Sequence, residues 1–160
     1  ISTTDKERFM SQRKLITSNQ IGNVANNFNY VTKDGRNGTM AEIKAEYLLI
    51  YFNNPDCDEC KRVKGLMENS PEIASCLQTG KLVVLSVYVD KDPDIWRKAK
   101  YPEEWINCYN EDQDIMNRSL YDLRAIPSLY LLDKDKHVII KDGVLEDIVS
   151  FLKLKSKSTN

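Results

Sequence analysis

One stretch limits what this chain can fold into more than any other: Tyr47-Leu-Leu-Ile-Tyr-Phe-Asn-Asn-Pro-Asp-Cys57-Asp-Glu-Cys60-Lys-Arg-Val63. Residues 47–52 form an unbroken apolar run, the pattern of a strand covered on both faces, and Asn53-Asn54-Pro55-Asp56 supplies a turn that ends it. A helix is predicted to begin at or next to Cys57. Counting from Cys60, Val63 and Met67 fall at i+3 and i+7, so Cys60 lies on the apolar, inward face while Cys57 sits at the helix tip. One sulfur is expected to be accessible and its partner sheltered.

Dithiol chemistry needs that asymmetry. The first-turn amides of a helix have no intrahelical partners and carry the positive end of its dipole, so a thiolate at Cys57 is stabilised as a nucleophile and Cys60 can attack the resulting mixed disulfide. Asp56, Asp58 and Glu59 crowd Cys57, whereas Lys61, Arg62 and Lys64 come later. The three carboxylates are expected to tune the pair by opposing the helix end. A less stabilised reduced form makes a less oxidising disulfide, which favours a reductase or isomerase over a strong oxidant.

The remainder of the chain places this unit in an α/β frame. Residues 2–17 read as a short amphipathic helix around Phe9, Leu15 and Ile16, and Asp34-Gly35 and Asn37-Gly38 mark a hairpin turn. After the Cys-x-x-Cys helix, Ser70 and Pro71 read as the cap and first residue of a second helix ending near Leu77. Residues 81–89 form a buried strand joined to the first by a helical crossover, which implies parallel pairing. Residues 111–123 are expected to be a helix. Residues 129–132 and 137–140 are expected to form a hairpin, and 144–154 a closing helix with a frayed lysine-rich end. Between these lies 90–110, carrying Trp96, Tyr101, Trp105 and Tyr109, which reads either as aromatic packing under a crossover or as a wall of a substrate groove.

One hundred and sixty residues with 41% hydrophobic content make one domain with a real core. We divide it into an N-terminal helical extension, 1–19, and a main domain, 20–160. A net charge of −1 from 23 basic and 24 acidic residues leaves no electrostatic footprint for nucleic acid, and no apolar run reaches membrane-spanning length. The first residue is Ile1 rather than Met, so a processed or trimmed chain is expected, with any signal or lipid anchor removed. His137, the only histidine, has no evident companion ligand and reads as structural; the cysteine spacings do not form a zinc site, so no metal is expected. Cys76 and Cys108 read as small buried residues, with a second disulfide or a regulatory thiol as alternatives.

The strand-turn-Cys57-x-x-Cys60-helix unit, the apolar run 82–89, and Ala125-Ile126-Pro127-Ser128 opening a strand together resemble the thioredoxin superfamily, and within it the TlpA/ResA-like exported thiol-disulfide oxidoreductases. The resemblance covers roughly residues 20 to 154 by this element-by-element reading. It implies a three-layer thioredoxin-like fold, a central mixed β-sheet flanked by helices with an N-terminal β-hairpin extension. It further implies a cis Pro127 beside the sulfurs and a free Ile126 backbone to pair with substrate. Implied too are protein thiol or disulfide substrates, a membrane thiol-donating reductant, no cofactor beyond the Cys57-Cys60 disulfide, and a periplasmic or cell-envelope location. The chain departs from the family's pattern at three places. Tyr51 stands where thioredoxin has a buried aspartate, Val63 where cytochrome-maturation reductases have a glutamate, and Asn54-Pro55-Asp56 in place of a tryptophan-bearing turn. The alternative function is a non-catalytic thioredoxin-fold binding module of a larger cell-envelope protein with a structural disulfide.

Overall fold

The computed structural model describes residues 3–158; Ile1, Ser2, Thr159 and Asn160, which the predictions above include, lie outside it. Seven strands form one sheet: β1 Asn29–Thr32, β2 Asn37–Thr39, β3 Tyr47–Asn53, β4 Leu82–Tyr88, β5 Ile106–Tyr109, β6 Ser128–Asp133 and β7 Val138–Ile140. Their spatial order is β2-β1-β5-β4-β3-β6-β7. The helices are α1 Thr3–Thr17, α2 Asp58–Glu68, α3 Pro71–Gln78, α4 Pro93–Lys98, α5 Asp114–Asn117 and α6 Leu145–Ser158, with a 3-10 turn at Met40–Glu42.

Strand β3 is the spine. It pairs in parallel with β4 from Tyr47↔Leu82 to Asn53↔Tyr88, as the helical crossover requires, and antiparallel with β6 from Tyr47↔Asp133 to Phe52↔Ser128. Its continuous apolar run is needed because alternate residues serve two cores. Leu48, Ile50 and Phe52 face one side, where Phe52 meets Phe28, Tyr121 and Tyr130 in an aromatic cluster with ring centroids 4.8–6.0 Å apart. Leu49 and Tyr51 face the other, packed under Val63 and Met67 of α2, Ile73 of α3 and Ile148 and Leu152 of α6. This alternation turns Tyr51 toward the helix that carries the cysteines. The mixed sheet with helices on both faces is the expected fold class.

Ser70 caps α3 by accepting the Ile73 N–H at 3.3 Å, with Pro71 at the first helical position. Four expectations are corrected. Residues 90–110 contain α4, capped by the Asp92 side chain on the Asp94 N–H at 3.0 Å, and strand β5, which lies between β4 and β1. Four residues interrupted by Asn107 give too short a period to read as a strand. The helix expected over 111–123 shrinks to Asp114–Asn117: at its start Asn110 Oδ1 accepts the Ile115 N–H at 3.1 Å while its Nδ2 reaches across to Asn29 O at 2.7 Å, and at its end the Leu120 N–H turns back to Ile115 O at 2.9 Å. Ser119 then takes φ +52, and Met116, expected inside, is half exposed. Helix α6 does not fray at 154 but continues to Ser158, where Lys155 and Lys157 suit the negative end of its dipole. In α1 the apolar residues do not face a core; Phe9 and Ile16 are each 64% exposed.

Candidate functional site

Helix α2 starts where predicted, and Cys57 is its N-cap. The Cys57 sulfur accepts the backbone N–H of Cys60 at 3.1 Å, so the nucleophile candidate sits on an otherwise orphaned first-turn amide. The turn feeding it is closed by Cys57 N–H to Asn54 O at 3.1 Å and Asp56 N–H to Asn54 Oδ1 at 2.8 Å. Cys57 is half-buried and Cys60 is 1% exposed; both are free thiols. On the other side the Cys57 thiol faces the carbonyl oxygen of Ile126 at 3.8 Å, and the Ile126–Pro127 peptide bond is cis. Four sequence-predicted site residues thus meet at one corner, where β6 begins beside the tip of α2. The shallow groove running from there is lined by Arg62, Leu66, Ile126, Pro127 and Val144.

The three carboxylates do not act as one group. Asp56 and Asp58 are exposed at the mouth, but Glu59 turns along the helix to Arg62, 2.9 Å from Nε, and that pairing holds its carboxyl below the usual range. Two of the three proposed tuning charges remain unneutralised by that pair. Beneath the mouth, burial and then the neighbouring Cys57 sulfur push the Cys60 thiol up to about 12, with the Asn54 and Cys60 amides pulling weakly the other way. A sheltered second thiol that stays protonated at neutral pH is the resulting state.

What lies under Cys60 is a set of hydroxyls. Tyr51 donates its hydroxyl hydrogen to the Cys60 carbonyl oxygen at 2.6 Å, and burial drives its own ionisation upward, so it stays a neutral donor. Trp105 packs edge-on against the Tyr51 ring, centroids 6.0 Å apart. Asn53, 1% exposed, donates to Tyr51 O at 2.9 Å and to Ser86 Oγ at 3.0 Å, while its Oδ1 accepts the Tyr101 hydroxyl at 2.7 Å. Asn53, Ser86 and Tyr101 were not among the predicted site residues. A polar residue ending a seven-residue strand that is otherwise buried and apolar was the available signal for Asn53; nothing in the sequence distinguished Tyr101 from its aromatic neighbours. Of those, Trp96, Trp105 and Tyr109 are buried packing, and Tyr101 alone is partly exposed beside the network.

The remaining cysteines are sequestered. Cys76 lies in the α2–α3–α6 core and Cys108 in the opposite one, so the sheet separates them and a second disulfide does not form between them. Burial drives the Cys108 thiol well above its ordinary range, which makes it unreactive. His137 has companions after all. The β6–β7 turn folds Asp133, Asp135 and His137 so that their ligand atoms lie within 4.8 Å of one another, although Asp133 Oδ1 already accepts the N–H groups of Asp135 and His137 at 2.9 Å each. That carboxylate is primarily the cap of the turn. Among the described residues no helix is long and apolar enough to cross a membrane.

No family model matches the sequence, and neither does any curated protein. Solved structures do. The thioredoxin domain of a thiol-disulfide oxidoreductase from Bacteroides vulgatus is 16% identical at TM-score 0.70, covering 85% of this chain and 97% of its own, and shares the fold. The C-terminal domain of an uncharacterized protein from Bacteroides fragilis is 42% identical at TM-score 0.83, covering 84% of this chain and 98% of its own. A thioredoxin-like protein from Bacteroides caccae is 38% identical at TM-score 0.90, over 96% of this chain and 56% of its own length, so the chain spans little more than half of that protein. A likeness at that identity, running through sheet and helices together, reflects descent as well as shape: the chain belongs to the thioredoxin superfamily.

Proposed function

We propose that the chain is a thiol-disulfide oxidoreductase. The observation that carries this reading is the placement of Cys57, half-buried as the N-cap on a first-turn amide of α2, with Cys60 sheltered one turn behind it and the Ile126 carbonyl in front. The Cys57 thiolate attacks a substrate disulfide, forming one S–S bond and releasing one substrate thiolate. Cys60, after losing its proton to solvent, attacks Cys57, closes the Cys57-Cys60 disulfide and releases the second substrate thiolate. The chain loses two electrons and the substrate gains them, with no other cofactor.

Asp56 and Asp58 at the mouth support a reducing or isomerising direction rather than strong oxidation. The Bacteroides vulgatus relative is named a thiol-disulfide oxidoreductase, and we extend that class to this chain. The finer assignment follows the sequence resemblance: a TlpA/ResA-like protein of the bacterial periplasm or cell envelope, acting on cysteines of exported proteins and recharged by a membrane thiol donor. We keep 20–160 as the catalytic domain and 1–19 as its extension. Ile126 and Pro127 would align the substrate backbone beside Cys57.

A second reading is a binding module with a quiet disulfide, favoured by the neutral Tyr51 beneath Cys60 in place of a proton-accepting carboxylate. Trapping separates the two. A Cys60→Ser chain incubated with disulfide-bonded protein substrate is expected to accumulate a mixed disulfide on Cys57, visible as a mass shift removed by dithiothreitol. No adduct at any substrate concentration would favour the binding module.

A further inference from the structure

We propose that Tyr101 is a positioning residue for the Cys57-Cys60 step: through Asn53 it fixes the end of β3, and so the turn that keeps the two sulfurs within reach of each other. The inference rests on the dithiol exchange proposed above. Asn53 is buried with both amide hydrogens committed, one to Tyr51 O and one to Ser86 Oγ, so its Oδ1 can only point at the hydroxyl of Tyr101. Asn53 ends β3, and the next residue, Asn54, closes the turn with the N–H groups of Asp56 and Cys57. From the α2 side, the Tyr51 hydroxyl holds the Cys60 carbonyl. The backbone that carries both sulfurs is therefore tied from below through Asn53 and Tyr51, beside the Val89 N–H on Asn53 O and the Asn54 side-chain amide on the Asp90 carboxylate, and Tyr101 is the tie that closes on the Asn53 side chain itself.

Tyr101 is itself anchored independently of its hydroxyl. The ammonium groups of Lys33 and Lys64 each lie 5.7 Å from its ring centroid, and Lys33 also donates to the carbonyl of Ala99 nearby. A Tyr101→Phe change thus removes one hydrogen bond and leaves the ring in place. In the disulfide the S–S bond fixes the turn by itself; in the dithiol and in a mixed disulfide only the hydrogen bonds do. Loss of the hydroxyl should lower the effective concentration of Cys60 at Cys57 and leave the attack by Cys57 on outside disulfides alone.

The test compares the wild-type and Tyr101→Phe chains against glutathione. In the variant, the equilibrium should shift about tenfold toward the dithiol, about 30 mV for a two-electron couple, and the Cys57-glutathione mixed disulfide should resolve about tenfold more slowly. Alkylation of Cys57 by iodoacetamide should stay within about twofold of wild type, since its nucleophilicity is untouched. A merely structural hydroxyl would lower the melting temperature with equilibrium and resolution unmoved, and values within about twofold of wild type for both would overturn the proposal. A Cys60→Ser chain that forms no mixed disulfide with glutathione would overturn the exchange reading itself, and this inference with it.

Discussion

A Cys57→Ser chain is expected to lose at least about a thousandfold of its disulfide-exchange rate, because a serine hydroxyl is not ionised at neutral pH and forms no disulfide. The fold should survive. Cys57 serves as the N-cap of α2 by accepting the Cys60 N–H, and serine is among the residues that fill that position best, so the substitution preserves the local hydrogen bond while removing the sulfur. Single-turnover reduction of a fluorescent disulfide peptide, with a thermal melt on the same sample, checks both halves. Full activity in a folded Cys57→Ser chain would remove Cys57 from the chemistry and leave the Cys pair structural.

The second large effect is in pH. Burial and the Cys57 sulfur push the Cys60 thiol up to about 12, and only its thiolate attacks. In the mixed disulfide Cys57 carries no charge but burial, the larger cause, remains, so the reactive fraction, and with it the rate of resolving a preformed mixed disulfide on Cys57, should rise more than about 25-fold from pH 7 to 9 and go on rising from 9 to 10. An ordinary cysteine near 8.5 would gain about 25-fold over the first interval and level off in the second. Stopped-flow measurement of the released thiol distinguishes the two curves, and a plateau by pH 9 would contradict the sheltered-thiol account. The fold limits the range in a known direction. Cys60 and Cys108, and the buried phenols of Tyr51, Tyr121 and Tyr130, have their ionisation raised by folding. They bind more protons folded than unfolded, so the stability they contribute is intact at low pH and is lost as pH climbs past the unfolded values, about 8.5 for the thiols and about 10 for the phenols. Measurement should stop near pH 10.

The sequence exposed the β3–turn–α2 unit almost to the residue because three independent signals agree there: a two-faced apolar run, a turn of Asn and Pro, and helical spacing after Cys60. Strand β4, the capped start of α3 and the β6–β7 hairpin were legible for the same reason. Strand β5 was not, since a four-residue strand with Asn107 inside it acquires its character from β1 and β4 on either side. The helix expected from Glu111 failed because the Asn110 side chain reaches forward only to the Ile115 N–H, so the helix starts late, and the chain turns left-handed at Ser119; neither can be seen in the apolar spacing of Ile115, Leu120 and Leu123.

The site divides along the same line. Cys57, Cys60, Ile126 and Pro127 are named by local pattern and by family resemblance, and the structure brings them to one corner. The departure at Tyr51 could be read in sequence, but its consequence could not: the hydroxyl is spent on the Cys60 carbonyl rather than aimed at relaying a proton. Tyr101 sits 48 positions from its partner Asn53, a separation that no local pattern spans. Glu59 likewise looked like a third tuning charge until the helix placed Arg62 one turn along.

The central claim is that Cys57 and Cys60 form a working redox pair, and the most direct test is its equilibrium potential against glutathione and dithiothreitol buffers, followed by the mass of alkylated thiols. The account predicts ready two-electron equilibration at a reducing potential, near the value of about −270 mV characteristic of thioredoxin. A pair that never equilibrates with either buffer would contradict it, and would leave the chain a thioredoxin-fold binding module.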